Sequence, residues 1–225
     1  MNNPQYMSGT GNNFLVSEYE NSKTDIEIIS IVADSLFDID GVIYVEKIDS
    51  LTVKMHYYNN DGSTAELCVN GIRCVAKYAL DNSIVDSNEV TVVAPIGNIK
   101  TNIKENTVSI EVSTPTYDKN KLLIDGLECI KSNIGNPHLL VEVDNVDKFD
   151  LEQFVKKVYE TKEFEKGVNV EIFNLFDKKI INARVYERGV GETDACGSGA
   201  VCMFYYLYNT NQVKNNSLIF YPGGE

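Results

Sequence analysis

Positive charge is in short supply: 20 Lys and Arg stand against 33 Asp and Glu, a formal net charge of −13 over 225 residues. A surface of that sign repels phosphate backbones, which excludes nucleic acid and other polyanions as partners. Long apolar runs are missing too, since no stretch approaches the roughly 20 residues that a bilayer core demands. The opening residues, MNNPQYMSGTGNNF, carry neither a basic cluster nor an apolar segment of the kind that begins a secretory leader. The expectation is a soluble cytoplasmic protein with no membrane partner. Cysteine is sparse and odd in number, five residues at positions 68, 74, 129, 196 and 202, which argues against a disulfide scaffold. The CxxC spacing of structural zinc sites is absent, and no metal is expected.

What is present is a chain long enough for one large domain or two smaller ones with a core each. Strand-forming runs rich in Val, Ile, Tyr and Phe recur at 41–48, 51–59, 89–95, 97–113, 129–134, 139–143, 169–186 and 216–221. Two amphipathic helices are legible. One starts at a Thr24/Glu27 capping box and runs through Ile28, Ile29, Val32, Ala33 and Leu36; the other carries Leu151, Phe154, Val155, Val158 and Tyr159. Two more stretches, 70–80 and 199–208, are so apolar that they read as helices enclosed by other structure, each the centre of its own half. The Pro- and Asp-bearing segment TPTYDKN at 114–120 separates these halves, giving an expected division into 1–115 and 116–225.

Set side by side, the two enclosed helices begin alike: CVNGIRC at 68–74 and CGSGAVC at 196–202, matching at an offset of 128 residues. In both, a cysteine precedes a polar residue, a glycine and an apolar helix, so Cys68 and Cys196 are expected at helix N-termini. Such a terminus offers unpaired N–H groups and positive partial charge, which favour a thiolate and can also hold a carboxylate. Two sulfurs facing one another across a substrate carboxylate would make a device for inverting a carbon centre. Cys74, Cys129 and Cys202 sit inside apolar pattern and read as packing. Residues i and i+6 of a helix lie about 240° apart, so neither Cys-x5-Cys pair closes on itself.

Polar constellations flank the repeat. The turn Tyr58-Asn59-Asn60-Asp61-Gly62-Ser63 comes just before Cys68, Asn136-Pro137-His138 follows a strand, and Glu187-Arg188-Gly189 precedes Cys196. Gly9-Thr10-Gly11-Asn12-Asn13 has no βαβ unit after it and is a poor dinucleotide fingerprint.

With these residues in hand, the sequence resembles the diaminopimelate epimerase family over nearly its whole length. The stretches that carry the resemblance are GTGNNF (9–14), YNNDGSTAELCVNGIRC (58–74), NIGNPH (133–138), YERGVGETDACGSGA (186–200) and YPGGE (221–225). The resemblance implies an α+β fold of two pseudo-symmetric halves, each a β-barrel-like sheet around a central apolar helix, with the active site in the cleft between them. It implies a cofactor-independent isomerase, without pyridoxal phosphate, in which Cys68 and Cys196 exchange the α-proton and His138 and Glu187 assist. Asn12, Asn59, Asn70, Gly71, Asn136, Asn169, Glu187, Arg188, Gly197 and Ser198 fall on positions that hold the substrate, a small amino acid, and a homodimer is a family-level expectation. The sequence departs from the family pattern at Val69, where glycine is usual, at Ser8, where histidine is common, and at Asn13, where aspartate is common. It also stops at YPGGE, where relatives continue, so the expectation is a fragment that lacks the last strands of its second half. Two other readings stay open: a racemase of the same superfamily acting on another amino acid, such as histidine or proline, and a binding homologue without turnover.

Overall fold

The computed structural model describes residues 2–64, 68–95 and 97–224. Residues 65–67 of the motif before Cys68, and the last residue of YPGGE, lie outside that set. The chain divides into two compact units, Met1–Val112 and Ser113–Glu225. Among the described residues no helix is long and apolar enough to cross a membrane.

The first unit is one seven-stranded sheet whose strands lie in chain order: β1 (Asn2–Gly9), β2 (Asn12–Glu18), β3 (Gly41–Lys47), β4 (Thr52–Asn59), β5 (Glu89–Ala94), β6 (Gly97–Lys104) and β7 (Thr107–Ile110). Neighbours are antiparallel except β2–β3 and β4–β5. Parallel neighbours need a crossover, and the helices supply it: α1 (Asp25–Ala33) links β2 to β3, and α2 (Val69–Asp81) links β4 to β5. The sheet curls around α2, which touches all seven strands. Ile72, Cys74, Val75, Ala76, Tyr78 and Ala79 of α2 are buried against Phe14, Val16, Ile43 and Val53.

The second unit repeats this plan. After two short strands, β8 (Thr116–Tyr117) and β9 (Leu122–Ile124), come β10 (Leu127–Asn133), β11 (Pro137–Glu142), α3 (Leu151–Tyr159), β12 (Asn169–Leu175), β13 (Ile180–Glu187), β14 (Gly191–Thr193), α4 (Gly197–Asn209) and β15 (Leu218–Phe220). Strand β11 pairs parallel with β12 across α3, and β13 pairs parallel with β15 across α4. These are the two crossovers of the first unit in the same order. The covering of the central helix differs. Helix α4 buries Ser198, Gly199, Cys202, Met203 and Leu207, whereas Val201, Phe204, Tyr205 and Tyr206 are half-buried and Tyr208 is exposed. In the first unit β6 and β7 reach the far side of α2; among the described residues of the second unit no strand follows β15.

Local structure departs from the sequence reading at several points. The α1 capping box forms, but the helix stops at Ala33 rather than running to Leu36, and only Ile28 of its apolar residues is buried. The run 97–113 breaks at Glu105, whose φ of 54° turns β6 into β7, and 169–186 breaks into β12 and β13. Strands β1 and β2, which the alternation did not reveal, are joined by a tight turn with positive φ at Thr10 (52°) and Gly11 (83°). This conformation, rather than any phosphate, explains the glycine there.

Candidate active site

Cys68 and Cys196 cap their helices with nearly identical extended backbones, φ −130° and ψ 93° for the first, φ −130° and ψ 107° for the second. An N-cap must leave helical φ/ψ while its side chain turns back toward the first-turn N–H groups. Cys68 does so with sulfur: the Gly71 N–H donates to its Sγ at 3.3 Å. A Cβ at Gly71 would lie 2.8 Å from Met55 Cε and 3.2 Å from the Cys68 sulfur, so the bare glycine admits the thiol to the helix end.

Around Cys68 the first unit builds a small polar net. Buried Asn70 donates from Nδ2 to Asn12 Oδ1 at 2.6 Å. Arg73 donates to Asn70 Oδ1 at 2.9 Å and to Thr10 Oγ1 at 2.5 Å, which straps the β1–β2 turn to the first turn of α2. The Arg73 guanidinium has only neutral oxygens as hydrogen-bond partners among the described residues, and burial lowers its pKa from the ordinary value. Asn59 ends β4 and donates to Ser63 Oγ at 2.8 Å. Arg73 was not among the residues singled out by sequence, where it reads as the polar face of a helix.

The second unit is more enclosed. Cys196 is 5% exposed, and its Sγ lies 3.4 Å from Ser198 Oγ. Asn136 Nδ2 donates to that same hydroxyl at 3.3 Å, while Asn136 Oδ1 faces His138 Nε2 at 3.2 Å. His138 Nδ1 lies 3.1 Å from Glu171 Oε1, and the Tyr221 hydroxyl donates to Glu171 Oε2 at 2.9 Å. Glu187 accepts from Thr193 Oγ1 at 2.6 Å. The Arg188 N–H donates to Asn169 Oδ1 at 2.8 Å, and the Arg188 side chain crosses Gly167 so closely that a Cβ there would sit 2.7 Å from its Cγ. An open cleft of about 540 Å³, lined by Ser132, Asn133, Pro137, Lys162 and Lys166, reaches buried His138.

Burial pushes the Cys196 thiol well above its ordinary range, and the Glu171 and Glu187 charges add to it; the Ser198 hydroxyl and Gly199 N–H pull the other way. Burial likewise raises Glu187, with Glu171 adding and Thr193 opposing. It lifts Cys74, Cys129 and Cys202 to about 11, in keeping with packing roles. His138, Glu171 and Cys196 bring three donor atoms within 4.8 Å of one another, a spacing that could in principle hold a metal ion. The histidine nitrogen and both carboxylate oxygens are hydrogen-bonded to protein groups.

Glu171 and Tyr221 were not expected at the site. Glu171 is the lone acid in the buried strand Asn169–Leu175 and is fully inaccessible; an unpaired carboxylate there would be prohibitively costly, and that is the signal which could have found it. Gly199 belongs to the same arrangement, because a Cβ on it would stand 1.9 Å from Glu171 Oε1. His138, Asn136, Ser198 and Glu187 lie around the Cys196 end within the second unit, and Asn12 and Asn70 around the Cys68 end within the first. Asn12, Asn136 and Asn169, expected to bind substrate, have their amide oxygens occupied by protein donors.

The family model described as diaminopimelate epimerase covers residues 5–119 and 130–225. Diaminopimelate epimerases of Agathobacter rectalis and Thermotoga maritima are each 32% identical to the chain, over 97% and 96% of it and 88% and 89% of their own lengths. A hydroxyproline epimerase from Agrobacterium vitis shares the fold at a TM-score of 0.72 and 12% identity, over 98% of this chain and 80% of that one. The protein is an isomerase of the epimerase class, acting on a small molecule. It belongs to the diaminopimelate epimerase family.

Proposed function

We propose that the protein interconverts the LL and meso isomers of diaminopimelate, a step of lysine and peptidoglycan-precursor synthesis, with Cys68 and Cys196 as its acid/base pair. One cysteine, as thiolate, takes the α-proton and becomes a thiol. The other, as thiol, delivers a proton to the opposite face of the same carbon and becomes the thiolate. One C–H bond breaks, one forms, and no electrons are transferred to or from a cofactor. Each sulfur at a helix N-terminus meets N–H groups and positive partial charge, which also suit the substrate carboxylate and the carbanion that develops beside it. Glu187 and Arg188 offer a carboxylate and a guanidinium for the ammonium and carboxylate of the far end of a diamino diacid, which a monoamino acid would leave without partners.

The observation that carries this reading is the repeated helix end: two central helices, one in each unit, each with a cysteine at its N-cap in nearly the same backbone conformation. The test is incorporation of deuterium from heavy water at the α-carbon, run on LL-diaminopimelate beside histidine, proline and other amino acids. The expected result is exchange and epimerisation of diaminopimelate alone, abolished in Cys68→Ala and in Cys196→Ala. Full turnover by either variant defeats the two-thiol scheme, and exchange confined to another amino acid defeats the substrate assignment.

A further inference from the structure

The hydrogen bonds beneath Cys196 run in a chain, Glu171, His138, Asn136, Ser198, Cys196, with Glu187 and the Gly199 N–H beside the same sulfur. Each link constrains the next, because a carbonyl oxygen and an ionised carboxylate only accept, an amide NH2 only donates, and a hydroxyl donates one hydrogen while accepting others. Tyr221 donates into the far carboxylate oxygen, which leaves Glu171 Oε1 as an acceptor facing His138 Nδ1. With Glu171 as a carboxylate, that nitrogen carries a hydrogen.

Two senses of the chain satisfy this condition. In the one seen, Asn136 turns its oxygen to His138 Nε2 and its NH2 to Ser198. Nε2 then also carries a hydrogen, Ser198 accepts from Asn136, and its hydroxyl hydrogen is directed at the Cys196 sulfur, the sense that suits a thiolate. In the other, the Asn136 amide is turned over, Nε2 accepts, Ser198 donates to Asn136, and the Cys196 thiol donates to Ser198. The two senses hold the same number of protons and the same total charge: the proton rests on His138 in the first and on Cys196 in the second. The remaining ionisable neighbours, Glu187 from β13 and Tyr221 from the segment after β15, keep the same protonation in both senses.

We propose that Glu171 is a positioning residue, holding a hydrogen on His138 Nδ1 so that the state of Nε2 and the hydrogen-bonding sense at the Cys196 sulfur change together. Glu171 touches no reacting atom; it acts through the imidazole, as the partner of one ring nitrogen sets the role of the other. Its place is reserved by Gly199, whose missing side chain leaves the space the carboxylate occupies. The inference rests on Cys196 being one of the two proton-transferring thiols.

The test uses Glu171→Gln in the full-length chain. Glutamine keeps the size and can still accept from Tyr221, but its NH2 lets it donate to Nδ1, so the obligatory hydrogen there is released. With only two histidines in the protein, nitrogen NMR of the rings, with His56→Gln as the assignment control, reads Nδ1 directly. The wild type is expected to show a protonated Nδ1 on His138, and the variant a population with that nitrogen bare. Turnover of Glu171→Gln is expected to fall on the order of 100-fold in kcat with KM within about twofold. A bare Nδ1 in the wild type overturns the proposal, as does a variant with unchanged kcat and an unchanged ring spectrum. Because the wild-type spectrum needs neither substrate nor variant, it decides the role of Glu171 even if diaminopimelate exchange fails, and such a failure is read separately against the two-thiol scheme.

Discussion

Replacing Gly199 with alanine places a methyl carbon 1.9 Å from Glu171 Oε1 and 2.2 Å from its Cδ. Intrinsic propensity alone favours alanine over glycine inside a helix by about 1 kcal/mol, so a helix-centred argument expects stabilisation. The geometry expects the reverse. The carboxylate belongs to a central strand and cannot retreat without leaving His138 and Tyr221; overpacking costs about 1 to 3 kcal/mol, and each hydrogen bond to a charged group is worth about 1.5 to 3 kcal/mol. With partial relaxation the net loss is about 3 kcal/mol, which at a few degrees per kcal/mol for a chain of this size lowers the melting temperature by roughly 10 °C. Urea or thermal unfolding measures it. The decisive arm is a double-mutant cycle with Glu171→Ala: once the carboxylate is gone, alanine at 199 becomes neutral or stabilising, giving a coupling of about 2 kcal/mol or more. Additive losses, or a more stable Gly199→Ala in the wild-type background, refute the claim that the glycine exists to admit Glu171.

Glu187 gives a pH-dependent counterpart. Burial raises its folded-state pKa, so the folded chain binds that proton more tightly than the unfolded one. The stability this group contributes is complete below the unfolded carboxylate range and lost as pH rises through the folded value. Glu187→Gln is therefore expected to raise the urea midpoint at pH 7, with the difference shrinking toward acid pH; a difference that grows toward acid contradicts the assigned sign. Thiol labelling separates the two halves. In the ligand-free protein Cys68, half-buried and met by the Gly71 N–H, is expected to alkylate first at pH 8, with Cys196, Cys74, Cys129 and Cys202 far slower. Peptide mapping that finds Cys196 modified as fast as Cys68 would overturn this ordering.

The sequence carried the two cysteine-capped helices openly, because the same pattern, a cysteine with a polar residue two positions on, a glycine three positions on and an apolar run after it, occurs twice. The capping box of α1 was equally plain, yet its far end was not: Val32 and Leu36 continue the apolar spacing, while nothing in the fold covers Leu36, which is 84% exposed. Strand β1 was hidden because Asn2, Asn3, Pro4 and Gln5 give no alternation at all; its pairing with β2, which in turn pairs with β3, makes it a strand, not its own composition. Glu171 was invisible for a different reason. One acid amid Val170, Ile172 and Phe173 looks like a solvent-facing position, and the groups that neutralise its burial, His138 and Tyr221, come from 33 and 50 residues away. Pairings of that range leave no local trace.

The strap from the first hairpin to the cysteine-bearing helix has a consequence for motion. Strand β1 is the outermost of its sheet, and outermost strands are the first to fray. Yet the loop at its end supplies Thr10 and Asn12, which steady Arg73 and Asn70 beside the Cys68 thiol, and its Gly9 backbone lies against Asn70, where even a Cβ would be within 2.9 Å of the carbonyl oxygen. Peeling of that margin would disorder the thiol's neighbourhood long before the Val-rich interior feels it. Loss of reactivity on warming should accordingly run ahead of unfolding, the chemistry being tied to an edge of the sheet rather than to its middle.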